Sequence, residues 1–358
     1  MPNPPQSFRR LPLLLLALTA AVAAVWFFWQ RPAASPWAVD PDSVALTWRP
    51  AAPLHRLVRE LPPDDDSQAL VTFRAAVGPS FAADYTEDIL AIGPADAPST
   101  AAALRTFATH ESIAGSLAAI DTTSGDPAFL AEAERTIERA FRRFHAHFPA
   151  TGIPHLVFMH SGFNYAVYPT DSTLAVGLEW FLGPDHPIVE SLAPSAFPAY
   201  LRARMMPDRL AAEAVRGWLL VHFSRQWYQP QNCADALLFW GKVLFVVDQI
   251  LPDTPDSTWM DWTADEWAWA LANERSVWLE MSQQDVLFNT NPMEFSRWFN
   301  EGPFTRAAAI PQDSPDRLGA YLGYRIVSDY MNENKDLSMS ELMVMTDPMP
   351  FLQTYRPN

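Results

Sequence analysis

PHLVFMHSGFNYAVYPTDSTLAVGLEWFLG, residues 154–183, is where the hydrophobic period of this chain changes. Upstream, apolar residues recur at helical spacing. Here they come in short runs broken by Ser-Gly and by Pro-Thr-Asp, the punctuation of strands and turns. The pattern predicts strands over His155–Met159, Asn164–Tyr168 and Thr173–Leu178. Such strands make only a small sheet, so the flanks decide the class.

Both flanks read as helix. Residues 51–150 are mostly helical in pattern and end in DPAFLAEAERTIERAFRRFHAHF (126–148). There Asp126 is an N-cap, Pro127 takes the first helical position, and apolar residues keep helical spacing through Phe148. Helices return from about Ala196. TADEWAWALANERSVWLEM (263–281) opens with a capping box of Thr263 and Glu266, and SMSELMVM (338–345) with one of Ser338 and Glu341. Helices, a small central sheet, then helices define an α+β chain that is mostly helical.

SPDRLGAYLGYRIVSDYMNEN (314–334) poses a packing question. Ser314 followed by Pro315 predicts a helix start, and Leu318, Leu322 and Ile326 form a buried stripe. Gly319 and Gly323 lie on one face of that helix, each costing about 1 kcal/mol relative to alanine. Either another element packs directly on them, or they line a groove that admits an extended peptide.

Composition narrows the function. The 358 residues carry a formal charge of −16, with lysine at 242 and 335 alone, which argues against nucleic acid and anionic lipid as partners. Cys233 is the single cysteine, so neither an intrachain disulfide nor a multi-cysteine metal site is available, and it reads as a small buried residue. Near the N-terminus, Leu11–Trp29 is an uncharged, mostly apolar run of 19 residues, long enough to span a bilayer. Arg9 and Arg10 precede it and assign residues 1–10 to the cytoplasm. Two readings stay open: a retained signal anchor, favoured by the aromatic end VWFFW (25–29), or a signal peptide cut after Ala21-Val22-Ala23. Residues 30–50 form a Pro/Ala-rich spacer, and 51–358 a single exported domain.

Catalytic signatures are sparse. The chain has no G-x-S-x-G, no phosphate-binding loop and no G-x-G-x-x-G, so no cofactor is implied. Lys242, in WGKV (240–243), reads as a snorkelling or paired lysine on an apolar helix. None of the eight histidines forms H-x-x-x-H, so no metal set is assigned. His222 lies in GWLLVHFSRQWY (217–228), where a zinc-peptidase helix would follow the sheet. Gln226 stands four residues on, and Phe223 occupies the general-base position. It is either a core histidine or the remnant of a zinc helix that has lost its base and a ligand. NENKDLSMSE (332–341) spaces its oxygen ligands like a calcium loop but places Leu337 where glycine is needed. Tryptophans 259, 262, 267, 269 and 278 read as core before they read as a sugar platform.

Taken in order, TEDILAIG (86–93), FHAHFP (144–149), STLAVGLEWFLGPDHP (172–187), LLFWGKVLFVVDQILPD (237–253), WTADEWAWALANERSVW (262–278), FNEGPFT (299–305) and SPDRLGAYLGYRIVSDYM (314–331) resemble the GldB family, gliding-motility-associated lipoproteins of Bacteroidetes. Members begin with a lipoprotein signal and an acylated cysteine; this sequence has no cysteine there, and Leu11–Trp29 stands in its place. The family's layout is similar to that of zinc peptidases, whose second-helix glutamate would fall near Trp240 or Gly241. The resemblance implies a degenerate, zincin-like scaffold in the cell envelope. It would be anchored in the inner membrane with a periplasmic domain, or exported after cleavage. Its implied role is to bind envelope proteins of the gliding and type IX secretion machinery without catalysis. His222, Gln226, Trp240 and Lys242 are then candidates for a vestigial cleft. Gly319 and Gly323 would seat their helix against LLFWGKVLF or the His222 helix, with rings over the glycines. The alternatives are an active zinc metallopeptidase or other hydrolase, and a structural envelope protein without a cleft.

Overall fold

The sheet has the order β1-β3-β2, with β1 (His155–Met159) parallel to β3 (Thr173–Gly177) and β2 (Val167–Pro169) antiparallel to it. The computed structural model describes residues 35–357 except positions 228, 284 and 308. The segment Leu11–Trp29, with both readings of it, lies outside the described residues. β3 is buried along its whole length, as a central strand flanked on both sides must be. Pro169 cannot donate to a ladder and sits on the edge strand, where no donor is needed. On the other edge Ala52 covers β1, its amide donating to Leu156 O at 2.9 Å and its carbonyl accepting from the Phe158 amide.

β2 starts later and is shorter than the predicted strand Asn164–Tyr168. Residues 160–166 form a loop instead, with Gly162 and Phe163 at φ of 70° and 61°. The buried Glu179, just past β3, organises it. Its Oε1 accepts from the Ser161 amide (2.7 Å), the Ser161 hydroxyl (2.5 Å) and the Phe163 amide (3.0 Å). The Asn164 side chain donates to Ile89 O and Ser161 O. Polar side chains here offer the backbone better partners than a ladder does, so strand pairing starts only at Val167.

Among α-helices of six residues or more, the first four are α1 (Asp66–Val77), α2 (Pro98–Thr109), α3 (Glu111–Asp121) and α4 (Pro127–His147). After the sheet come α5 (Leu210–Trp227), α6 (Cys233–Ile250), α7 (Ala264–Gln283), α8 (Leu318–Glu333), α9 (Met339–Val344) and α10 (Met349–Thr354). Asp126 caps α4 as expected, and both capping boxes form. α1 and α2 bury Phe73, Leu104 and their neighbours in one cluster with Val157, Met159 and Ala175 of the sheet. Each such side chain contributes about 1.5–3 kcal/mol by leaving water. On the strands' other side, α5 packs against the β2–β3 hairpin, with Trp218 Nε1 donating to Thr170 O at 3.1 Å. The chain is therefore α+β and mostly helical.

The glycines on α8 answer the packing question. A Cβ built on Gly323 would stand 2.3 Å from Leu237 O, and one on Gly241 would stand 2.1 Å from Gly323 O. α6 and α8 thus cross backbone on backbone, with Gly241 opposite Gly323. Gly319 lies under the ring of Phe299, where a Cβ would meet Cε1 at 2.8 Å. The helix expected to approach is the observed one, but the ring over Gly319 comes from a turn at 298–299. The helix also starts later than Ser314-Pro315 suggests. Its first residue is Leu318, preceded by Arg317 at φ 53°. Thr305 is the reason: its hydroxyl donates to Pro315 O at 2.9 Å and accepts from the Leu318 amide at 3.1 Å. A cap supplied from a different segment displaces the local one.

Gly323→Ala should therefore lower stability by about 1–3 kcal/mol through overpacking, although alanine is the better helix former. Gly115→Ala, on α3 where nothing lies within 4 Å of the added Cβ, should raise it by up to about 1 kcal/mol. Urea unfolding of both variants reads the two signs; a gain at position 323 would refute the backbone contact.

Candidate functional site

The residues singled out from the sequence occupy different surroundings. His222 stacks on Trp218 at 4.7 Å and 5° and meets the edges of Phe144 and Phe223. Burial holds its pKa below the ordinary imidazole value. It borders a surface recess of about 460 Å³ with Thr151, Asp171 and Arg225. Gln226 belongs to the last turn of α5, and its side chain lies outside the described residues. Trp240, half-buried on α6, stacks on Phe299 at 6.4 Å and 13°.

Lys242 neither snorkels nor pairs with a carboxylate. It is 3% exposed, and its Nζ donates to Met343 O (2.9 Å) and Met345 O (2.7 Å) at the carboxyl end of α9. Helix C-termini offer such unpaired carbonyls, and a cation there meets the negative end of the dipole. His222, Trp240 and Lys242 are not gathered into one cleft. Among the described residues no group of three or more His, Cys, Asp and Glu is placed to hold a metal.

The structure gathers a different set. Arg204, Arg209, Arg216 and Arg317 converge on Asp261 and Asp316, all six nine-tenths or more buried. Asp316 is saturated: Oδ2 accepts from Arg204 Nη1 and the Gly302 amide, both at 2.9 Å, while Oδ1 accepts from Trp262 Nε1 (2.9 Å) and Arg317 Nε (3.1 Å). Asp261 accepts from Arg209 Nη1 at 2.5 Å and Arg317 Nη2 at 3.4 Å. Arg204 and Arg216 add charge within 3.7 and 4.0 Å. Burial alone would raise the Asp316 pKa, but Arg317, Arg204 and the bonds it accepts outweigh that and hold it at about 2. At the margin, burial and the Asp261 charge push Glu213 up to about 7. Guanidinium groups thus outnumber the buried carboxylates, and the cluster carries excess positive charge.

A cleft of about 450 Å³ adjoins this cluster, lined by Tyr200, Arg297, Asn300, Glu301, Phe304 and Arg306 among others. Glu301 faces both ways. It lines the cleft, and its carboxylate lies 3.8 Å from Arg317 Nη1. Gly302, the next residue, is tied to Asp316, so the rim of the cleft is fixed to the buried network. Arg204 stands 5.6 Å from the centre of the Tyr200 ring. Sequence reading could not single these residues out. Asp316 and Arg317 look like an exposed helix start, and nothing local shows that Arg204, Arg209 and Arg216 share their site.

A family model described as gliding motility protein GldB matches residues 51–357. The chain belongs to the GldB family. No curated protein and no solved structure matches it. GldB membership associates the protein with gliding motility, and the family is one of lipoproteins, which goes with the cell envelope. Among the described residues, no helix is long and apolar enough to cross a membrane. Both FNEGPFT and SPDRLG, two of the stretches that carry the GldB resemblance, contribute to the network and the cleft.

Asp316→Asn leaves Arg204 and Arg317 without their shared counter-charge and should cost about 3–5 kcal/mol. Glu132→Gln, at an exposed ion pair with Arg135, should stay within about 0.5 kcal/mol. Urea unfolding at neutral pH compares them, and equal small effects would show that the network is solvated.

Burial lowers the Lys242 pKa from 10.5 to about 8. Between those values the unfolded chain holds a proton that the folded chain has released, so stability rises with pH across that window. Relative to Lys242→Met, the wild type should gain on the order of 3 kcal/mol from pH 7.5 to 10.5. Parallel slopes in the two unfolding series would mean that the ammonium is hydrated.

Proposed function

We propose that this GldB family member supports gliding, and the type IX secretion apparatus linked to it, by binding an envelope partner rather than by catalysis. The cleft beside the arginine network is the binding surface in this reading. The observation that carries it is the state of the charges under the cleft. Asp316 has all its acceptor positions filled, and its pKa near 2 makes it a poor general base at neutral pH, while Glu213, whose pKa is pushed up to about 7, is not among the residues that line the cleft. What the network does supply is a rigid, positively charged floor. A degenerate zinc-peptidase layout belongs to the same proposal, supported by the order of elements and by the place of His222 on the first long helix after the sheet. So does membrane attachment through Leu11–Trp29, because Cys233, the one cysteine of the sequence, is buried in α6 with its thiol pKa pushed up to about 12.

Deleting the gene in its host should stop surface spreading, and the wild-type copy should restore it. Arg306→Glu, which reverses an exposed charge at the mouth of the cleft, should fail to restore spreading at equal protein level. Full rescue by that variant would remove the cleft from the mechanism. One equivalent of chelator-sensitive zinc in the purified protein would overturn the non-catalytic reading in favour of a metallopeptidase.

A further inference from the structure

The cleft has a specific chemistry. In a chain of net charge −16, two exposed arginines, 297 and 306, stand at one opening. Arg306 has no acidic partner among the described residues; its guanidinium lies 5.5 Å from the centre of the Phe304 ring. Among the described residues Arg297 has one acidic neighbour, the exposed Glu294, at 3.8 Å. Behind them the side chain of Arg317, 4% exposed, has its Nη1 turned toward the carboxylate of Glu301, a residue that lines the cleft. That contact, at 3.8 Å, is beyond hydrogen-bond distance, and the Glu301 side chain is 59% exposed. A buried guanidinium facing a loosely held, solvated carboxylate is a seat whose occupant can be exchanged. The walls suit what would follow the anion, with the Tyr200 and Phe304 rings beside the Asn300 amide.

We infer that this cleft binds a ligand bearing a carboxylate next to an apolar or aromatic group, the carboxylate taking the place of Glu301 against Arg317. The inference rests on the cleft being the binding surface proposed above. Because the chain's own carboxylate already occupies the seat, its shape and charge are those of a carboxylate site. Arg317 offers Nη1 for this, since its Nε and Nη2 are engaged by Asp316 and Asp261, and a charge-assisted hydrogen bond from it to a carboxylate is stronger than one to a neutral acceptor. Arg306 and Arg297 draw the anion in, and Gly302, pinned to Asp316, keeps the rim from collapsing when Glu301 swings out.

The test uses the full-length chain in uncharged detergent at low ionic strength. Titration calorimetry would follow N-acetylphenylalanine, its amide and inorganic phosphate. The free acid should bind at least tenfold more tightly than the amide and more tightly than phosphate. Glu301→Gln should tighten the acid about tenfold by removing the competing carboxylate, and Arg306→Gln should weaken it about tenfold. Circular dichroism would confirm that both variants fold. Equal binding of acid and amide, preference for phosphate, or no gain from Glu301→Gln would each overturn the inference. Loss of spreading with Arg306→Glu but no acid binding would leave the cleft as the binding surface and remove the carboxylate. Acid binding as expected with intact spreading would leave the chemistry and remove its role in gliding.

Discussion

The crossing of α6 and α8 at Gly241 and Gly323 fixes the position of the arginine network and of the cleft beside it. Two helices that touch through backbone cannot slide without a carbonyl striking the opposite chain, because interiors are close-packed and the obstructing atoms are not rotatable. The start of α8 is thereby set in space, and with it the Asp316-Arg317 pair on which the arginine network is built. α6 carries Trp240 against Phe299, which in turn covers Gly319. It also carries Lys242, which holds the carboxyl end of α9. One glycine pair therefore positions the cleft floor and the C-terminal segment together.

A buried network of four guanidiniums and two carboxylates is not an efficient way to stabilise a fold. Desolvating each ion costs several kcal/mol, and well-packed apolar residues often do as well. What the network adds is geometry. Arg204, Arg209 and Arg216 arrive from segments far from Asp316 in sequence, and the bonds of Arg204 to Asp316 and of Arg209 to Asp261 fix the register of one segment against another. The use of arginine is consistent with that role, since a planar fork with several donors can bridge two carboxylates and a carbonyl at once. Arg317 does so, with Asp316, Asp261 and the Asp261 carbonyl as partners.

Elements governed by local chemistry were legible in the sequence, and those governed by tertiary partners were not. β1 has the expected bounds because its apolar run is bounded by Pro154 and the Ser161-Gly162 turn. α4 has its Asp126 cap because capping is a three-residue interaction. The glycine face of α8 could be read as a close approach, since only contact justifies two glycines in a helix, but Gly241 as its counterpart could not. The late start of α8 depends on Thr305, and the short β2 on Glu179. Neither partner is adjacent in sequence. Of the five tryptophans read as core, Trp259 and Trp262 are buried, while Trp267, Trp269 and Trp278 are half-buried, Trp267 packing on Tyr321. Lys242 was given the wrong partners, and the arginine cluster went unread, for the same reason. A charged residue in sequence looks solvated until its partners are known, and these partners lie on other elements.

The contrast between an acidic whole and a cationic pocket carries a further consequence. At physiological ionic strength, exposed charges are screened beyond about 8 Å, so most of the net charge of −16 is not felt inside the cleft. What an entering group meets there is Arg297 and Arg306 at the mouth and the excess positive charge of the network behind Glu301. Over longer distances, in dilute salt, the acidic surface repels polyanions such as nucleic acid and anionic membrane. A small ligand or a single side chain presents little charge to that field and reaches the cleft where the local arginines dominate. On the proposed reading of the cleft, the surface and the pocket select in the same direction, against extended polyanions and in favour of one isolated anionic group on an otherwise uncharged body.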